Sequence, residues 1–368
     1  MFKVSIQPHW HIQSSALPAG FDSNMLIGLL RGIQEEGSIA AAGRRLGLSY
    51  RYVWGLLREA EQGFGLPLLD KQPGRGTVLS HLGQTLLMAD ERIQARLSPT
   101  LSSLASELDT ELRKAVFHAA QVTRLFASHG FAIATLIEQL AQQGVVLELR
   151  YQNSLDAVAA LSQGECDVAG FHIPIGGFQR AAAAAYRAWL DPRQYVVLQV
   201  ARRQQGLSVA PGNPKQIRDL ADLVRADVKF VNRHPGSGTR MLLDLMLAAR
   251  DLPINQIRGY DTAEFTHAAV AAYIASDMAD VGLGIEAAAR RFQLDFVPLF
   301  QERYFLTVRK TQFEQPWCQA ILGTLRSRSF RLGLSETPGY WTDQTGTVLE
   351  LSEIFADDGP ADRPKAFN

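Results

Sequence analysis

The 368-residue chain has few cysteines, no net charge and no long hydrophobic run. Cys166 and Cys318 lie far apart and form no CxxC pair, which argues against a disulfide framework or a zinc finger and favours a reducing compartment. The 37 basic residues balance 37 acidic residues, so any surface that binds nucleic acid must be local. No stretch is apolar for long enough to span a bilayer, and the N-terminus lacks the apolar run of a signal peptide. We therefore expect a cytoplasmic protein with no membrane partner.

The chain is long enough for two or three domains at roughly 100 to 200 residues per domain. Residues 2–12 alternate apolar and polar side chains, which predicts a strand. Residues 24–36 have the spacing of an amphipathic helix. Two more helices follow, with Ser38 and Ser49 as N-caps and Gly47 in the turn between them. Two helices joined by a three-residue turn that contains glycine are typical of a helix-turn-helix.

The segment after the third helix, LPLLDKQPGRGTVLS, predicts a β-hairpin wing around a glycine-rich turn. Within residues 38–80, six basic residues face three acidic ones, and this local excess suits contact with phosphates. The start of the third helix would enter a major groove. A pair of short amphipathic helices also occurs as a plain packing motif, and the hairpin favours DNA binding over that alternative. The predicted DNA contacts are Ser38, Arg44, Arg45, Ser49, Tyr50, Arg51, Tyr52, Arg58 and Arg75.

The segment GSIAAAGRRLGLSYRYVWGLLREAEQGFGLPLLDKQPGRGTVLSHLGQTLL resembles the winged helix-turn-helix of LysR-type and ModE-type bacterial regulators. SYRYVW followed by GRGTVLSHLGQ is most similar to the molybdate-responsive ModE branch. The resemblance covers about residues 1–110 and implies a dimeric transcription regulator. It places Ser49 to Tyr52 at the base-reading start of the recognition helix and Arg75 at the wing tip. Trp54 matches a tryptophan of the ModE pattern, either as a core residue or as a contact.

Two further helices are predicted at residues 81–96 and, after Pro99, at residues 101–112. They have no obvious partner within the small N-terminal domain, so we expect a dimer interface or an interdomain connector. The protein would then be a homodimer or a tetramer. The chain after residue 112 alternates strands and helices, which predicts α/β lobes with largely parallel sheets. Its predicted strands are residues 115–118, 145–150, 167–171, 195–200, 229–232, 280–283, 295–298 and 304–308.

The run NRHPGSGTR follows a predicted strand and opens a predicted helix. Its glycines permit a sharp turn, and the unpaired amides of the helix start beside two hydroxyls suit an anion. Two arginines add positive charge. The alternative is an ordinary serine N-cap. The run is neither a Walker A motif nor a Rossmann fingerprint. The candidate anion ligands of this run are Arg233, Gly236, Ser237, Gly238, Thr239 and Arg240.

The segments LSVAPGNPKQIRDLADL, VKFVNRHPGSGTRMLLDLML, IRGYDTAEFTHAAVAAYIASDMADVGLGI and LDFVPLFQERYFL resemble the periplasmic-binding-protein-like domain often described as molybdate-binding. The resemblance spans about residues 112–330. It implies two lobes joined by crossover strands, with the ligand in the cleft. Relatives often present a serine-containing segment after the first strand, and AAQVT departs from that pattern. The further ligand candidates are Thr123, Asn153, Ser154, His172, Glu264 and Tyr304.

Several of these residues also have a purely structural explanation. Asn153 and Ser154 suit helix caps, and His172 could be a packed histidine. His9 and His11 share a strand face, but no third metal ligand is near, so we predict no metal site and no cofactor. The two cysteines are expected to be buried small hydrophobic residues.

Taken together, the sequence predicts a multidomain regulator that is not an enzyme. Its N-terminal winged helix-turn-helix is mainly α, and its C-terminal α/β domain is a two-lobed type II periplasmic-binding-protein-like fold. The partners would be an operator in double-stranded DNA and a small anion. The resemblance implies molybdate or tungstate, while the anion seat would also suit a small carboxylate such as formate. The predicted domains are residues 1–80, a linker helix at 81–111, a sensor at 112–355 and a disordered tail at 356–368.

Two other functions remain open on the sequence. An α/β cleft with His172, His267 and Glu264 could perform acid-base catalysis, although no nucleophile elbow, metal motif or cofactor fingerprint accompanies it. A protein that binds or stores oxyanions without regulating genes is the second, and the winged domain disfavours it.

Overall fold

The computed structural model describes residues 4–72, 76–117 and 122–355. The chain forms two compact units, one of which spans Gln7–Leu97 while the other consists chiefly of the chain from Ser98 onward. The predicted tail at 356–368 and the wing-tip residue Arg75 lie outside the described residues. Among the described residues, no helix is long and apolar enough to cross a membrane.

The first unit contains a helical core and a small hairpin. Its core consists of aliphatic side chains from all three short helices, among them Leu26, Leu30, Val53 and Leu57. The hairpin strands pair antiparallel, with Leu69 opposite Leu79, which confirms the predicted wing strands. The elements are α1 (Ser23–Glu36), α2 (Ile39–Arg45), α3 (Tyr50–Phe64), β1 (Leu69–Gln72), β2 (Gly76–Leu79) and the start of α4 (His81–Phe117).

The helix-turn-helix closes through the glycines and caps that the sequence predicts. A Cβ on Gly43 would lie 3.0 Å from Cγ2 of Val53, so the close approach of α2 to α3 leaves little room for a side chain. Gly47 has a φ of 68°, the left-handed conformation that glycine adopts at low cost. The Oγ of Ser49 accepts a hydrogen bond from the amide of Tyr52 at 3.2 Å and thereby caps α3.

Two predictions for this part of the chain were wrong. Residues 4–12 form no strand, because side-chain hydrogen bonds hold them instead of a neighbouring strand. The Nε1 of Trp10 donates to Asp90 at 3.0 Å, and the amide of Ile12 donates to Oγ of Ser23 at 2.8 Å. The two helices predicted on either side of Pro99 are one helix, α4, with the proline inside it.

The C-terminal half of α4 contacts the second unit's own sheet. The hydroxyls of Ser106 and Ser103 accept hydrogen bonds from the amides of Leu149 and Tyr151 at 2.7 Å and 2.9 Å. This half of the helix therefore has its contacts in the second unit and not in the N-terminal one. The N-terminal half belongs to the first unit, so the boundary between the two units lies within α4.

The second unit is built on a sheet whose strand order is β4-β3-β5-β10-β6-β9-β7-β8, with β11 and β12 also paired to β6. The outer strands run parallel, as predicted, but β10 is antiparallel to both of its neighbours. The strands are β3 (Thr123–Ala127), β4 (Leu147–Tyr151), β5 (Val168–Pro174), β6 (Tyr195–Val209), β7 (Phe230–Arg233), β8 (Ala263–Glu264), β9 (Val281–Ile285), β10 (Asp295–Arg309), β11 (Tyr340–Trp341) and β12 (Val348–Glu350).

The two 15-residue strands β6 and β10 join the two halves of this sheet. The C-terminal half of β10 pairs with β5, whereas the C-terminal half of β6 pairs with β9. This arrangement confirms the two lobes with crossover strands. The sequence split β10 into two strands and ended β6 at residue 200, and both of these predictions were wrong. The strand predicted at 115–118 was also wrong, because residues 115–117 continue α4.

Helices cover the sheet of the second unit and bury its aliphatic side chains in three clusters. Several of these helices begin directly after a strand, which places their N-termini along the edge where the parallel strands end. The helices are α5 (Phe131–Gln142), α6 (Ser154–Gln163), α7 (Gln179–Arg187), α8 (Gly238–Ala248), α9 (His267–Ala275), α10 (Glu286–Arg291), α11 (Pro316–Arg326), α12 (Arg328–Ser335) and α13 (Leu351–Phe355).

Candidate functional site

A small cavity in the second unit lies where strands end and helices begin. It has a volume of about 20 Å³, which excludes a multi-ring ligand. None of the lining residues is acidic. The lining consists of Ser128, His129, Gln152, Asn153, Ser154, His172, Arg203, Arg233, His234, Ser237, Gly238, Thr239, Phe265 and His267.

Four helix N-termini contribute to this lining, those of α5, α6, α8 and α9. The first amides of a helix have no intrahelical acceptor, and the aligned peptide dipoles place partial positive charge at that end. Asn153, Ser237 and Thr266 cap α6, α8 and α9 through their side-chain oxygens. Their side chains satisfy one amide each, so other amides of the first turns remain as donors. The cavity therefore lies beside the N-terminal ends of four helices.

Arg233, the last residue of β7, brings an uncompensated positive charge to the cavity. It is 6% exposed, and its Nη2 donates to the carbonyl of Phe265 at 2.8 Å. Among the described residues, its Nε and Nη1 have no hydrogen-bond partner. Burial and the nearby Arg203 lower the pKa of Arg233 to about 9, so the guanidinium is charged at neutral pH. Two buried cationic N–H groups without acceptors are what an anion would satisfy.

Arg203, by contrast, is already neutralised by a carboxylate. It lies opposite Glu302 on the neighbouring crossover strand, and its Nε donates to Oε1 of that residue. Both side chains are buried. Burial alone lowers the pKa of Arg203, but the carboxylate of Glu302 outweighs this effect and raises it above the usual value. The remaining net charge at the cavity is that of Arg233.

Three histidines of the lining are neutral at neutral pH. Burial, Arg291 and Arg233 lower the pKa of His129 to about 4. Burial and the two cavity arginines lower the pKa values of His172 and His267 well below the usual range. These histidines add hydrogen-bonding nitrogens to the cavity without adding charge.

His172 is held by contacts on two sides. Its ring stacks on Tyr304 with the ring centres 4.0 Å apart, and its Nδ1 lies 3.2 Å from Oγ of Ser154. Its Nε2 is buried and has no partner among the described residues. The stacking partner and the hydroxyl fix the orientation of the imidazole.

Seven residues predicted from the sequence line the cavity together. The NRHPGSGTR run contributes four of them, which places the predicted anion seat at one wall. The others come from the loop after β4 and from β5. The seven are Asn153, Ser154, His172, Arg233, Ser237, Gly238 and Thr239.

Five other predicted ligand residues do not line the cavity. Thr123 begins β3 instead of following it, because the first strand starts later than predicted, and Ser128 and His129 occupy the loop in its place. Arg240 turns towards Asp244, with Nε to Oδ1 at 3.0 Å, and lies over the ring of Tyr260. Gly236, Glu264 and Tyr304 are near lining residues but are absent from the lining itself.

Seven lining residues are absent from the predicted anion ligands, although the sequence analysis had already placed His267 in the cleft as a possible acid-base residue. For Ser128 a signal was present, since the resemblance implies a serine-containing segment after the first strand and LFASH supplies it once β3 is placed correctly. Arg203 had no sequence signal, because it lies within a long strand. These seven residues are Ser128, His129, Gln152, Arg203, His234, Phe265 and His267.

The predicted DNA-contacting residues cluster at the start of α3. Tyr50 and Tyr52 are 67% and 44% exposed, and Arg51 is exposed beside them. Trp54 is 38% exposed and meets Tyr50 edge to face, with the ring centres 6.0 Å apart, so it is a surface residue and not a core residue.

The remaining predicted contacts differ in their environment. Arg44 and Arg58 are exposed. Arg45 is exposed too but forms ion pairs with Glu35 and Glu36 at the end of α1, which compete with a phosphate for its guanidinium. The Oγ of Ser38 accepts from the amide of Ala41 at 3.4 Å and caps α2, so its first role is structural. Within the described residues, no group of three or more His, Cys, Asp or Glu is placed to hold a metal ion.

Comparison with known families identifies both units. The PBP superfamily domain matches residues 137–326, just over half of the chain. The chain belongs to the PBP superfamily. Residues 27–84 match the bacterial regulatory helix-turn-helix protein, lysR family. A lysR-family helix-turn-helix followed by a PBP superfamily domain confirms the predicted fold class. Regulators of that family are not enzymes, in agreement with the prediction.

Individual relatives match parts of the chain. It is 33% identical to YvgK of Bacillus subtilis (strain 168) over 200 residues, which are 54% of this chain and 64% of YvgK. It therefore spans less than two thirds of that relative. It is 33% identical to the molybdenum-pterin-binding protein MopB of Rhodobacter capsulatus over 89 residues, 23% of this chain and 33% of MopB. It is 24% identical to the transcriptional regulator CbbR of Xanthobacter flavus over 249 residues, 67% of this chain and 65% of CbbR.

Among solved structures, full-length BenM is similar over 86% of this chain and 99% of BenM, at 16% identity and a TM-score of 0.42. OxyR of Corynebacterium glutamicum is similar over 81% of this chain and 90% of OxyR, at 14% identity and a TM-score of 0.40.

Proposed function

We propose that this PBP superfamily protein is a DNA-binding transcriptional regulator whose C-terminal domain senses a small anion, molybdate or tungstate. The observation that carries the proposal is the cavity, where the unpartnered N–H groups of Arg233 meet the N-termini of four helices. Burying a cation without a counter-charge is unfavourable in free energy, and a bound anion would remove that cost. The absence of acidic residues from the lining removes the repulsion that an anion would otherwise meet.

The choice of anion rests on the resemblance of the sequence and on the geometry of the donors. The printed name of MopB associates that relative with molybdenum, and the sequence resembles the molybdate-responsive regulators. Donors reach the cavity from four helix starts, which suits a tetrahedral oxyanion because each of its oxygens can accept hydrogen bonds. A flat carboxylate such as formate has two oxygens and would leave some of these donors without acceptors.

Isothermal titration calorimetry with molybdate, tungstate, sulfate and formate tests the proposal. We expect molybdate or tungstate to bind at least tenfold more tightly than formate, because more donors find acceptors on a tetrahedral ion. If formate alone binds, the sensed ligand is a small carboxylate and not molybdate or tungstate. If none of the four anions binds, the cavity is not an anion site.

The proposed DNA interface is the exposed start of α3, where Tyr50, Arg51 and Tyr52 would enter a major groove. A storage protein would have no use for this surface, so DNA binding separates the regulator from the binding protein. Arg44 and Arg58 would contact phosphates of the DNA backbone. Such contacts set the position of the protein on the duplex but do not distinguish one base sequence from another.

The change Arg51→Ala should weaken binding to the cognate operator by roughly 1 to 3 kcal/mol if the arginine reads a base. Fluorescence anisotropy against the operator and a scrambled duplex would separate lost specificity from lost charge. Arg193 is an exposed arginine of the other unit, and its alanine variant is the matched control. Equal affinity of the Arg51 variant and the wild type for the operator would exclude Arg51 from the reading surface.

The proposed assembly is a dimer or tetramer formed through α4. This helix exposes large apolar side chains whose spacing of four or seven residues places them on one face. They have no partner in the helix itself and would be covered by a second copy. These residues are Leu97, Leu104, Leu108, Leu112 and Val116.

In the regulator, the lobes would close on the bound anion. This closure would change the spacing of the two recognition helices of the dimer relative to the two half-sites of the operator.

A further inference from the structure

The crossover strand β6 carries a buried glutamine, Gln205, that reaches the cavity only through another residue. Gln205 is fully buried and is not among the lining residues. Its Nε2 donates a hydrogen bond to Oγ1 of Thr239 at 3.0 Å. Thr239 lines the cavity at the start of α8 and is 4% exposed. The glutamine and the cavity are therefore separated by one hydroxyl.

That hydrogen bond decides which way the hydroxyl hydrogen of Thr239 can point. A threonine hydroxyl has one hydrogen to donate and can accept through its lone pairs. Because Oγ1 already accepts from Gln205, the hydrogen must point elsewhere. Within a helix the usual alternative acceptor is the carbonyl four residues back, but the carbonyl of Pro235, four residues before Thr239, precedes α8, which begins at Gly238. That carbonyl lies 2.7 Å from Nδ1 of His234, which competes for it.

The orientation of the glutamine amide follows from the cost of burying polar groups. As placed, the side chain leaves one carbonyl oxygen, Oε1, without a partner among the described residues. A reversed amide would accept the threonine hydrogen but would bury an NH₂ group with two unpaired donors. Unpaired buried N–H groups are rarer in proteins than under-satisfied carbonyls, so the donating orientation is preferred.

We infer that Gln205 is a positioning residue that makes Thr239 a hydrogen-bond donor to the bound anion. This inference rests on the proposed anion site and adds a specificity element to it. A donor held in place before the ligand arrives binds an acceptor oxygen without first breaking another hydrogen bond. At this point the ligand must present an oxygen that accepts a hydrogen bond, as every oxygen of a fully deprotonated oxyanion does.

A double-mutant cycle tests the inference, with Gln205→Met and Thr239→Val as the single variants. Both changes keep the approximate volume and remove the hydrogen bond. With calorimetry of molybdate and tungstate, Thr239→Val should weaken binding about 10- to 100-fold, since a hydrogen bond to a charged ligand is lost. Gln205→Met should weaken binding about 3- to 10-fold in the wild-type background. In the Thr239→Val background it should have no effect, because there is no hydroxyl left to orient.

The opposite patterns overturn the inference. If Gln205→Met weakens binding equally in both backgrounds, the glutamine acts through the fold or through another group. If it weakens binding in neither background, Thr239 needs no positioning. If the wild-type protein binds neither anion, the proposed function itself is refuted. If the wild type binds an anion but the two substitutions have additive effects, only the inference about Gln205 is refuted.

A second measurement needs no ligand. In a nitrogen-15 spectrum of the free protein, one side-chain amide proton of Gln205 should appear shifted downfield by its bond to Thr239. In the Thr239→Val variant the same proton should move upfield, and Gln205→Met assigns the signal. An unchanged proton in the valine variant would show that the bond does not form in solution, and the inference would fail whichever anion binds.

Discussion

The change Arg233→Met should reduce anion affinity at least 100-fold and leave the free protein at least as stable as the wild type. Nε and Nη1 of this buried guanidinium have no partner among the described residues, so an anion in the cavity can accept from both. Hydrogen bonds that involve a charged group contribute about 1.5 to 3 kcal/mol each, and two of them correspond to a loss of 100-fold or more.

The expected gain in stability has a separate physical reason. Without ligand, Arg233 keeps a charge in a buried site where, among the described residues, only its Nη2 has an acceptor, and this desolvation is unfavourable. Methionine has a similar length and no charge, so it relieves that cost while filling the space. Calorimetry for the affinity and the urea midpoint for stability give the two results from one variant.

The matched control for this change is Arg240→Met. Arg240 belongs to the same strand-to-helix segment, but its guanidinium pairs with Asp244 and stacks over Tyr260 outside the cavity lining. We expect its anion affinity to stay within about twofold of the wild type. If the Arg240 variant lost the anion and the Arg233 variant kept it, the anion would have to bind on the other side of α8.

Acidification from pH 7 to pH 5 should destabilise the folded protein, with His129 alone accounting for about 2 kcal/mol. Its pKa is about 4 in the fold, chiefly because of burial, against about 6.5 in an unfolded chain. Between those values the unfolded state binds more protons than the folded state. The stability is therefore complete above pH 6.5 and is lost as the pH falls towards 4. His172 and His267, whose pKa values are also lowered, act in the same direction.

Urea unfolding of the full chain at pH 7 and pH 5 measures this effect, and His129→Gln isolates it. Glutamine keeps hydrogen-bonding capacity but does not titrate, so the variant should lose about 2 kcal/mol less than the wild type over this interval. A bound anion should also reduce the loss, because its negative charge raises the pKa values of the cavity histidines. Parallel pH profiles for the wild type and the variant would show that His129 is not held neutral in the fold.

Much of the N-terminal unit could be predicted from the sequence because its signals are local. Ser38 and Ser49 as caps, Gly47 in the turn and the small residue Gly43 at the crossing each act within a few residues of the chain. The apolar spacing of α1 and α3 likewise reports which face is buried. The alternation of apolar and polar residues at 2–12 led to a wrong prediction of a strand. A strand needs a second strand to pair with, and the sequence of one segment does not show whether such a strand exists.

The loop of the proposed anion seat could also be predicted, because it lies on one continuous run. The order strand, glycine-rich loop, helix is enough to place Ser237, Gly238 and Thr239 at a helix N-terminus. Arg240 was assigned to the seat on sequence proximity alone. The helix turns its side chain towards Asp244, four residues further along, and the same spacing could have suggested that pair.

By itself, the sequence determined the class of each domain, the helix-turn-helix, and the loop that supplies one wall of the cavity, because caps, turns and periodicity are local properties. Only the tertiary structure decided that β6 and β10 are continuous crossover strands and that four helix N-termini meet at one point. It also decided which of the two cavity arginines has a carboxylate partner. Arg203 and its neutralising partner Glu302 are 99 residues apart in the sequence and meet only across paired strands. The net charge of a buried site depends on all the charged groups that the fold brings together, and these groups are far apart in the sequence, so no local sequence pattern predicts it.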